Sequence, residues 1–247
     1  MYVSAHSTAR AMDFQSGTAG GEARQLARPL AGTITAIEVQ QRDPQRVSLF
    51  LDGRFAFGLS SSTLADAGLK PGDVLSEAQV AELLQREAVQ QALQQAFHLL
   101  SHRPRSEHEL RRALARKGHA PETIEAVLKR LERYHYVDDQ AFALAWIENR
   151  QRARPRGARL LRAELRQKGV EREIVDQAID DAGGDEYTLA RAAARRKLGT
   201  LKAADYGEFG RKLGGFLLRR GFDADVVWPV VRELWAEQTG ETAPLDG

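Results

Sequence analysis

The sequence contains no cysteine. That removes disulfide frameworks, thiol nucleophiles and cysteine-based zinc sites together, and it suits a reducing cytoplasm. No run of 18 apolar residues occurs, and the first 30 residues lack the apolar core of a secretory signal, so neither a membrane span nor export is expected. The groupings that catalysis needs are missing as well. Ser60 to Ser62 have no His or Asp at a spacing that would make a nucleophile, and no glycine cluster matches a phosphate loop. A cytoplasmic protein without enzymatic activity, cofactor or metal is expected, and 247 residues that are 43% hydrophobic suffice for a real core.

Lys plus Arg and Asp plus Glu nearly balance, 36 against 34, but unevenly along the chain. Residues 1–100 carry 8 against 10, a net −2; residues 101–220 carry 27 against 18, a net +9; residues 221–247 carry 1 against 6, a net −5. A basic middle points to an anionic partner, either nucleic acid or an acidic protein surface, with a merely soluble charged surface as the plain alternative.

Residues 1–30, rich in Gly, Ala, Ser and Arg without periodicity, read as a disordered leader in which Met12 offers a second start. From Thr33 the pattern alternates: Ile34 and Ala36 in the run to Val39, then Val47, Leu49 and Leu51, then Phe55, Phe57 and Leu59. This is the signature of three strands, each with one apolar side. Asp52-Gly53 is a hairpin signal, because a type I′ turn needs positive φ at both central residues; Arg42-Asp43-Pro44 marks the other turn. Ser62 to Ala67 reads as a short helix stopped by Gly68, followed by a loop from Leu69 to Asp73. A small β-rich domain is therefore placed at residues 31–75.

Ser76 with Gln79 has the form of a capping box, and nearly everything from there to Glu237 is helical in pattern. Aligning Gly118, Gly169 and Gly221, which lie 51 and 52 residues apart, brings out an internal repeat. Leu110, Leu161 and Leu213 stand eight residues before each glycine, and Leu114, Leu165 and Leu217 four before; Ile124, Val175 and Val227 follow six after, and Leu128, Ile179 and Val231 ten after. A basic residue, Lys117, Lys168 or Arg220, immediately precedes each glycine. Pro104 and Pro155 lie 14 residues upstream in the first two copies, where the third has Gly207.

Each copy reads as three helices, at 88–101, 106–117 and 121–134 in the first. The leucines stack at i and i+4, the glycine ends the helix in a left-handed conformation, and Pro121 opens the next helix. Ser106 with Glu109 has the form of a second capping box. A period near 50 implies units that cannot bury their apolar faces alone and stack into an elongated, curved body. The units are placed at 76–137, 138–184 and 185–237, followed by a flexible tail at 238–247. Pro229 is expected to bend or shorten the last helix, and Gly183-Gly184 and Gly214-Gly215 read as helix ends.

The stretches RPRSEHELRRALARKGHAPETIEAVLKRLERYHYVDDQAFALAWIENR and RPRGARLLRAELRQKGVEREIVDQAI resemble the RecX regulatory proteins. They share a Ser-x-x-Glu-Leu helix, a Lys-Gly stop, an apolar helix, and Tyr136-Val137-Asp138-Asp139 running into Phe142. The segment RVSLFLDGRFAFGLSSSTLADAGLKPGDVLS is similar to the β domain that precedes the repeats in longer members, so the resemblance covers about residues 32–237. It implies tandem three-helix repeats that bind along the RecA–DNA filament. It further implies inhibition of RecA ATP hydrolysis, strand exchange or extension in DNA repair, recombination and the SOS response.

The residues singled out for partner binding are basic. Arg150, Arg152, Arg154, Arg156, Arg159, Arg162, Arg166 and Lys168 crowd one stretch against a single acid, Glu164. On a helix Arg159, Arg162 and Arg166 fall within about 60° of one another, opposite Leu161 and Leu165, as a cationic stripe. Arg111, Arg112 and Arg116 repeat part of it in the first unit, with Arg105 ahead of them. Guanidinium forks suit phosphates and carboxylates equally, so the RecA filament and single- or double-stranded DNA both remain open as partners, as does a solvated face with none. A monomer is expected. His98 and His102 have metal-pair spacing but no third ligand and read as a solvated helix face. Trp146, Tyr134, Tyr136 and Phe142 read as core rather than as stacking platforms for bases.

Overall fold

The computed structural model describes residues 31–182 and 184–241. The leader assigned to residues 1–30 with Met12, the glycine at 183 and the tail from residue 242 lie outside the described residues.

Three strands and a two-residue fourth, β1 (Gly32–Gln40), β2 (Asp43–Leu51), β3 (Arg54–Ser60) and β4 (Val74–Leu75), form an antiparallel sheet in the order β3-β2-β1-β4. Asp52 and Gly53, at φ 48° and 76°, make the expected type I′ turn. The other turn falls at Gln41-Arg42, one residue earlier than the proline suggested, because Pro44 is accommodated near the start of β2, where its missing N–H costs little. Strand pairing slips between Leu49 and Phe50, so that Leu49 faces Phe57 but Phe50 faces Phe55. The slip corrects the simple alternation. Phe55 turns outward at 58% exposed, edge-on to Phe50, while Phe57 and Leu59 join Ile34, Val47, Leu49 and Leu51 in the core. The loop after α1 (Ser61–Ala67) also hides β4, which is too short to show alternation.

The capping box at Ser76 and Gln79 is present and opens α2 (Glu77–His102), a 26-residue helix. A first-repeat helix beginning at 88 is therefore corrected: one helix serves two cores. Its first turns place Val80 and Leu83 under the sheet, and its later turns place Ala92, Leu93 and Ala96 in the first repeat. Glu87, between the two, is buried, accepting from the Ser60 backbone at 2.8 Å and from Arg46 at 2.9 Å.

Eight further helices follow: α3 (Glu107–Arg116), α4 (Pro121–Arg133), α5 (Asp139–Ala153), α6 (Ala158–Gln167), α7 (Arg172–Asp181), α8 (Glu186–Leu198), α9 (Tyr206–Arg219) and α10 (Ala224–Thr239). Leu110, Leu114, Leu161, Leu165, Leu213 and Leu217 are all at most 2% exposed. At roughly 1.5–3 kcal/mol for each buried leucine they outweigh the helix caps, worth about 1 kcal/mol apiece. These side chains form three separate clusters, one inside each unit, so each unit closes its own core. The expectation that a unit cannot bury its apolar face alone is thereby overturned for the fully buried core, while the junctions combine hydrogen bonds and ion pairs with close glycine contacts and partly buried apolar side chains such as Leu160 and Leu189.

All three repeat glycines have positive φ, between 80° and 86°. Each closes the same pair of hydrogen bonds, as in Val170 N–H to Leu165 O and Gly169 N–H to Arg166 O. Of the bend or shortening expected at Pro229, the shortening does not occur, since α10 contains the proline and runs 16 residues. A second expectation for the third unit is corrected. Gly214 and Gly215 lie inside α9, not at its end. A Cβ on Gly214 would come within 2.8 Å of the Trp228 ring, so the glycine is there to let the indole lie against the helix.

Candidate functional site

Two Arg-Pro-Arg segments lead into the middle helices of the first two units. Arg103-Pro104-Arg105 precedes Ser106, which caps α3, and Arg154-Pro155-Arg156 precedes Gly157, which caps α6. A residue before proline is pushed out of the helical region. Accordingly α2 and α5 stop at His102 and Ala153, and Arg103 and Arg154 are extended. Each segment docks on the end of the next unit's middle helix. Ser106 Oγ donates to the Lys168 carbonyl at 2.6 Å, and Gly157 N–H donates to the Arg220 carbonyl at 2.9 Å.

The docking explains why glycine follows those basic residues. A Cβ on Gly169 would lie 2.3 Å from His108 Cβ, and one on Gly221 would lie 2.4 Å from Leu160 Cβ. Gly118 has the same backbone but open space around it, because no unit docks there. Gly157, where an added Cβ would meet the Gly221 carbonyl oxygen at 2.2 Å, carries no sequence signal of this role.

At the first junction Arg103, Arg105, Arg112, Arg116, Lys168 and His108 line a cavity of about 350 Å³. Glu109 is the one acid among its lining residues. Burial works against its charge, but hydrogen bonds from Arg103 at 2.8 Å and Lys168 at 2.7 Å prevail and hold its carboxyl at about 2. Ser106 and Glu109 are therefore half a capping box: the serine caps the helix, while the carboxylate is drawn away to the two cations. Burial, then Arg103, and also Arg116 lower the pKa of Arg105, whose Nε donates only to the Leu99 carbonyl. Arg112 and Arg116 have no hydrogen-bond or ionic partner among the described residues.

The second junction repeats the scheme. Glu164 accepts from Arg150 at 3.0 Å, from Arg156 and from Trp146 Nε1 at 2.9 Å. Arg220 donates to the Pro155 carbonyl, and Arg196 to the Ala153 carbonyl. Burial first, then Arg154 and Arg196, lower the pKa of Arg220; burial, then Arg150, Arg220 and Arg154, lower that of Arg156. Arg152 and Arg154 have no side-chain partner among the described residues. Trp146 joins the two junctions: Arg150 lies 4.2 Å and Lys168 4.9 Å from its ring centre. The indole packs against the second unit's core beside Phe142, which is buried as expected, and its remaining face is half-exposed to the cations.

The stripe on α6 is not one uniform surface. Arg159 reaches the third unit, donating to the Leu218 carbonyl at 2.6 Å. Arg162 pairs with Asp176 at 2.8 Å, and Arg111 likewise pairs with Glu107 and Glu125. Arg166 alone of the three stripe residues has no acidic partner among the described residues. Residues that sequence reasoning passed over, Arg103, Arg196 and Arg220, belong to the junctions. The signals for Arg103 and Arg220 were present: one is the first arginine of the Arg-Pro-Arg motif, and the other the basic residue before the third glycine. Tyr134 and Tyr136 are 60% and 57% exposed, which corrects their placement in the core. The rings of His98 and His102 meet edge-on, and no group of three metal-ligating side chains occurs among the described residues.

The fold and the site together define a tandem three-helix repeat protein, preceded by a small antiparallel sheet, whose unit junctions are lined with arginine. Family profiles agree in order: the regulatory protein RecX N-terminal domain matches residues 32–76, and the first, second and third three-helix domains of RecX match 92–131, 138–179 and 184–231. The chain belongs to the RecX family.

The regulatory protein RecX of Amycolatopsis mediterranei is 37% identical over 67% of this chain and 95% of its own length. That of Bacillus licheniformis is 30% identical over 81% and 76%, and that of Listeria welshimeri 36% over 64% and 59%. The chain thus spans about three-fifths of the length of the Listeria relatives it matches. A crystal structure of a regulatory protein RecX superposes with a TM-score of 0.66 at 26% identity, covering 83% of this chain and all of that one. RecX from Lactobacillus salivarius shares the fold at a TM-score of 0.51 and 19% identity, over 60% of this chain and 97% of that one.

Proposed function

We propose that this protein is a non-enzymatic regulator that binds the RecA–DNA filament and restrains its ATP hydrolysis, strand exchange and extension in DNA repair, recombination and the SOS response. It works as a cytoplasmic monomer without a cofactor. The observation that carries the reading is the Arg-Pro-Arg notch, which occurs at two successive junctions in the same relation to the next unit's Lys168 or Arg220. A filament offers the same acidic or phosphate group at regular intervals, and a body with regularly repeated cationic notches is suited to engage several of them at once. Arg105, Arg112, Arg116, Arg152 and Arg154 supply the contacts, with Arg166 beside them; Arg156 and Lys168 form the notch walls, held by Glu164 and Glu109, and Arg111, Arg150, Arg159 and Arg162 brace the surface through their internal partners. Occlusion of the filament follows from bridging neighbouring subunits.

The deciding measurement is RecA ATP hydrolysis on single-stranded DNA with and without the protein. Suppression is expected. A protein that binds DNA with a steep salt dependence and leaves RecA turnover unchanged would instead be a DNA-binding module acting alone, a reading that the unpartnered Arg112, Arg116, Arg152 and Arg154 favour.

A further inference from the structure

The end of α4 carries a surface that shares no residue with the junction notches. His135, at φ 56°, turns the chain so that its own N–H donates to the Glu132 carbonyl and the Tyr136 N–H to the Leu131 carbonyl, both at 2.9 Å. This turn holds Tyr134 and Tyr136 at the helix end, both more than half exposed. The Tyr136 ring meets Phe97 of α2 edge-on at 4.9 Å between centres, and Phe97 is itself exposed. Tyr134, Lys129, Arg130 and Arg133 line a shallow cavity of about 340 Å³. None of these three cations has an acidic partner among the described residues. Of the nearby acids, Glu125 is bound by Arg111, with Lys129 a lesser charge acting on it, and Glu132 lines a different cleft with Asp138 and Asp139.

We propose that this corner of the first repeat is a contact surface for single-stranded nucleic acid. Lys129, Arg130 and Arg133 neutralise successive phosphates, and Tyr134 and Tyr136 stack on unpaired bases. Three cations without internal partners call for a polyanion, and two exposed phenol rings call for planar faces; a single strand offers both at once. In a duplex the bases are already stacked on one another, and an acidic peptide would satisfy the cations while leaving the rings in water. The helix dipole alone accounts for a cation or two in the last turn of α4, but it gives no reason for two exposed tyrosines beside them. The proposal is independent of the RecA reading, since it needs only this chain and a nucleic acid.

The test is fluorescence anisotropy of labelled oligothymidylate, and of an abasic phosphodiester strand of equal length, with the full chain and no RecA. Tyr134→Ser with Tyr136→Ser should weaken oligothymidylate binding about tenfold or more and leave the abasic strand unaffected. Lys129→Gln, Arg130→Gln and Arg133→Gln together should weaken both and lower the salt slope by about 2. The charge variant should melt like the wild type, because its altered side chains are exposed; the tyrosine variant should stay folded but melt slightly lower, because it loses the Tyr136–Phe97 contact. The proposal is overturned if the wild type does not bind oligothymidylate, if the tyrosine variant binds it as well as wild type, or if that variant loses both strands equally. An unchanged salt slope in the charge variant overturns it too.

Discussion

Arg162 and Asp176, 14 residues apart, pair at 2.8 Å across α6 and α7, and Arg111 and Glu125 pair at the same spacing across α3 and α4 one unit earlier. The corresponding positions of the third unit hold Gly214 and Trp228, with the indole resting on the glycine. All three arrangements tie a middle helix to the helix that follows it. The first two do so with half-exposed charges, whose attraction solvent screens to little net stabilisation, and the third with a ring laid against bare backbone.

That substitution sets opposing effects against each other at Gly214. Alanine in a helix interior gains about 1 kcal/mol over glycine, but here the new methyl would lie 2.8 Å from Trp228. Gly214→Ala should therefore lower the melting temperature in the wild-type background and raise it in a Trp228→Leu background. A double-mutant cycle by thermal unfolding checks the change of sign; the same sign in both backgrounds would refute the packing role.

The repeat glycines should differ in cost. All three pay for positive φ, about 1–2 kcal/mol on replacement by alanine, but only Gly169 and Gly221 also touch the preceding unit. Gly118→Ala should be the mildest of the three in chemical denaturation. Gly169→Ala and Gly221→Ala should cost more, and limited proteolysis should cut them near the disturbed junction. Equal costs would mean that the junctions yield freely.

Signals that act within a few residues were legible beforehand: the Asp52-Gly53 turn, the Ser76 capping box, the i, i+4 leucines and the glycine stops each draw on local geometry. What escaped depends on residues far apart in the chain. Lys168 meets Glu109 across 59 residues, so a run that looked uncompensated beside Glu164 alone finds part of its counter-charge in other units. The slip at Phe50 depends on pairing between strands, which inverted Phe55 against its own alternation. Tyr134 and Tyr136 sit where helical spacing would bury them, but α4 has already ended.

Glu109 should make the first junction acid-sensitive. Its carboxyl is held at about 2, below its ordinary value of 4.5, once the hydrogen bonds from Arg103 and Lys168 overcome the opposing effect of burial. A depressed folded-state value means that its stabilisation is complete above pH 4.5 and is lost as pH falls toward 2. Glu109→Gln should therefore be less stable than wild type at neutral pH, with the gap closing between those limits. Urea titrations across that range check it, and a gap independent of pH would show that the ion pairs contribute nothing.

The unpartnered arginines separate binding from folding. Arg112→Glu with Arg116→Glu changes two exposed residues that pair with no acid among the described residues, so helix propensity shifts by only a few tenths of a kcal/mol per site and the melt should survive. Suppression of RecA ATP hydrolysis should weaken, most at low salt, where screening is least. Arg162→Glu should instead cost stability as well, because it sets a carboxylate against Asp176. Full suppression by the Arg112 and Arg116 variant would make that face merely solvated.

The sheet domain should be dispensable for suppression, provided that the helix it leaves behind is treated. A chain beginning at Ser76 keeps the α2 cap and every junction residue, but it uncovers Val80 and Leu83, which are at most 6% exposed beneath the sheet. Two bared apolar side chains on one helix face invite aggregation, so Val80→Gln and Leu83→Gln belong in the same chain. Glu87 loses Ser60 and Arg46 as partners but gains water, and so is not left as a buried charge. The shortened chain should be helical by circular dichroism, monomeric on sizing, and still able to suppress RecA ATP hydrolysis. A folded monomer without suppression at any concentration would place the RecA contact in the sheet domain and remove the arginine junctions from the mechanism.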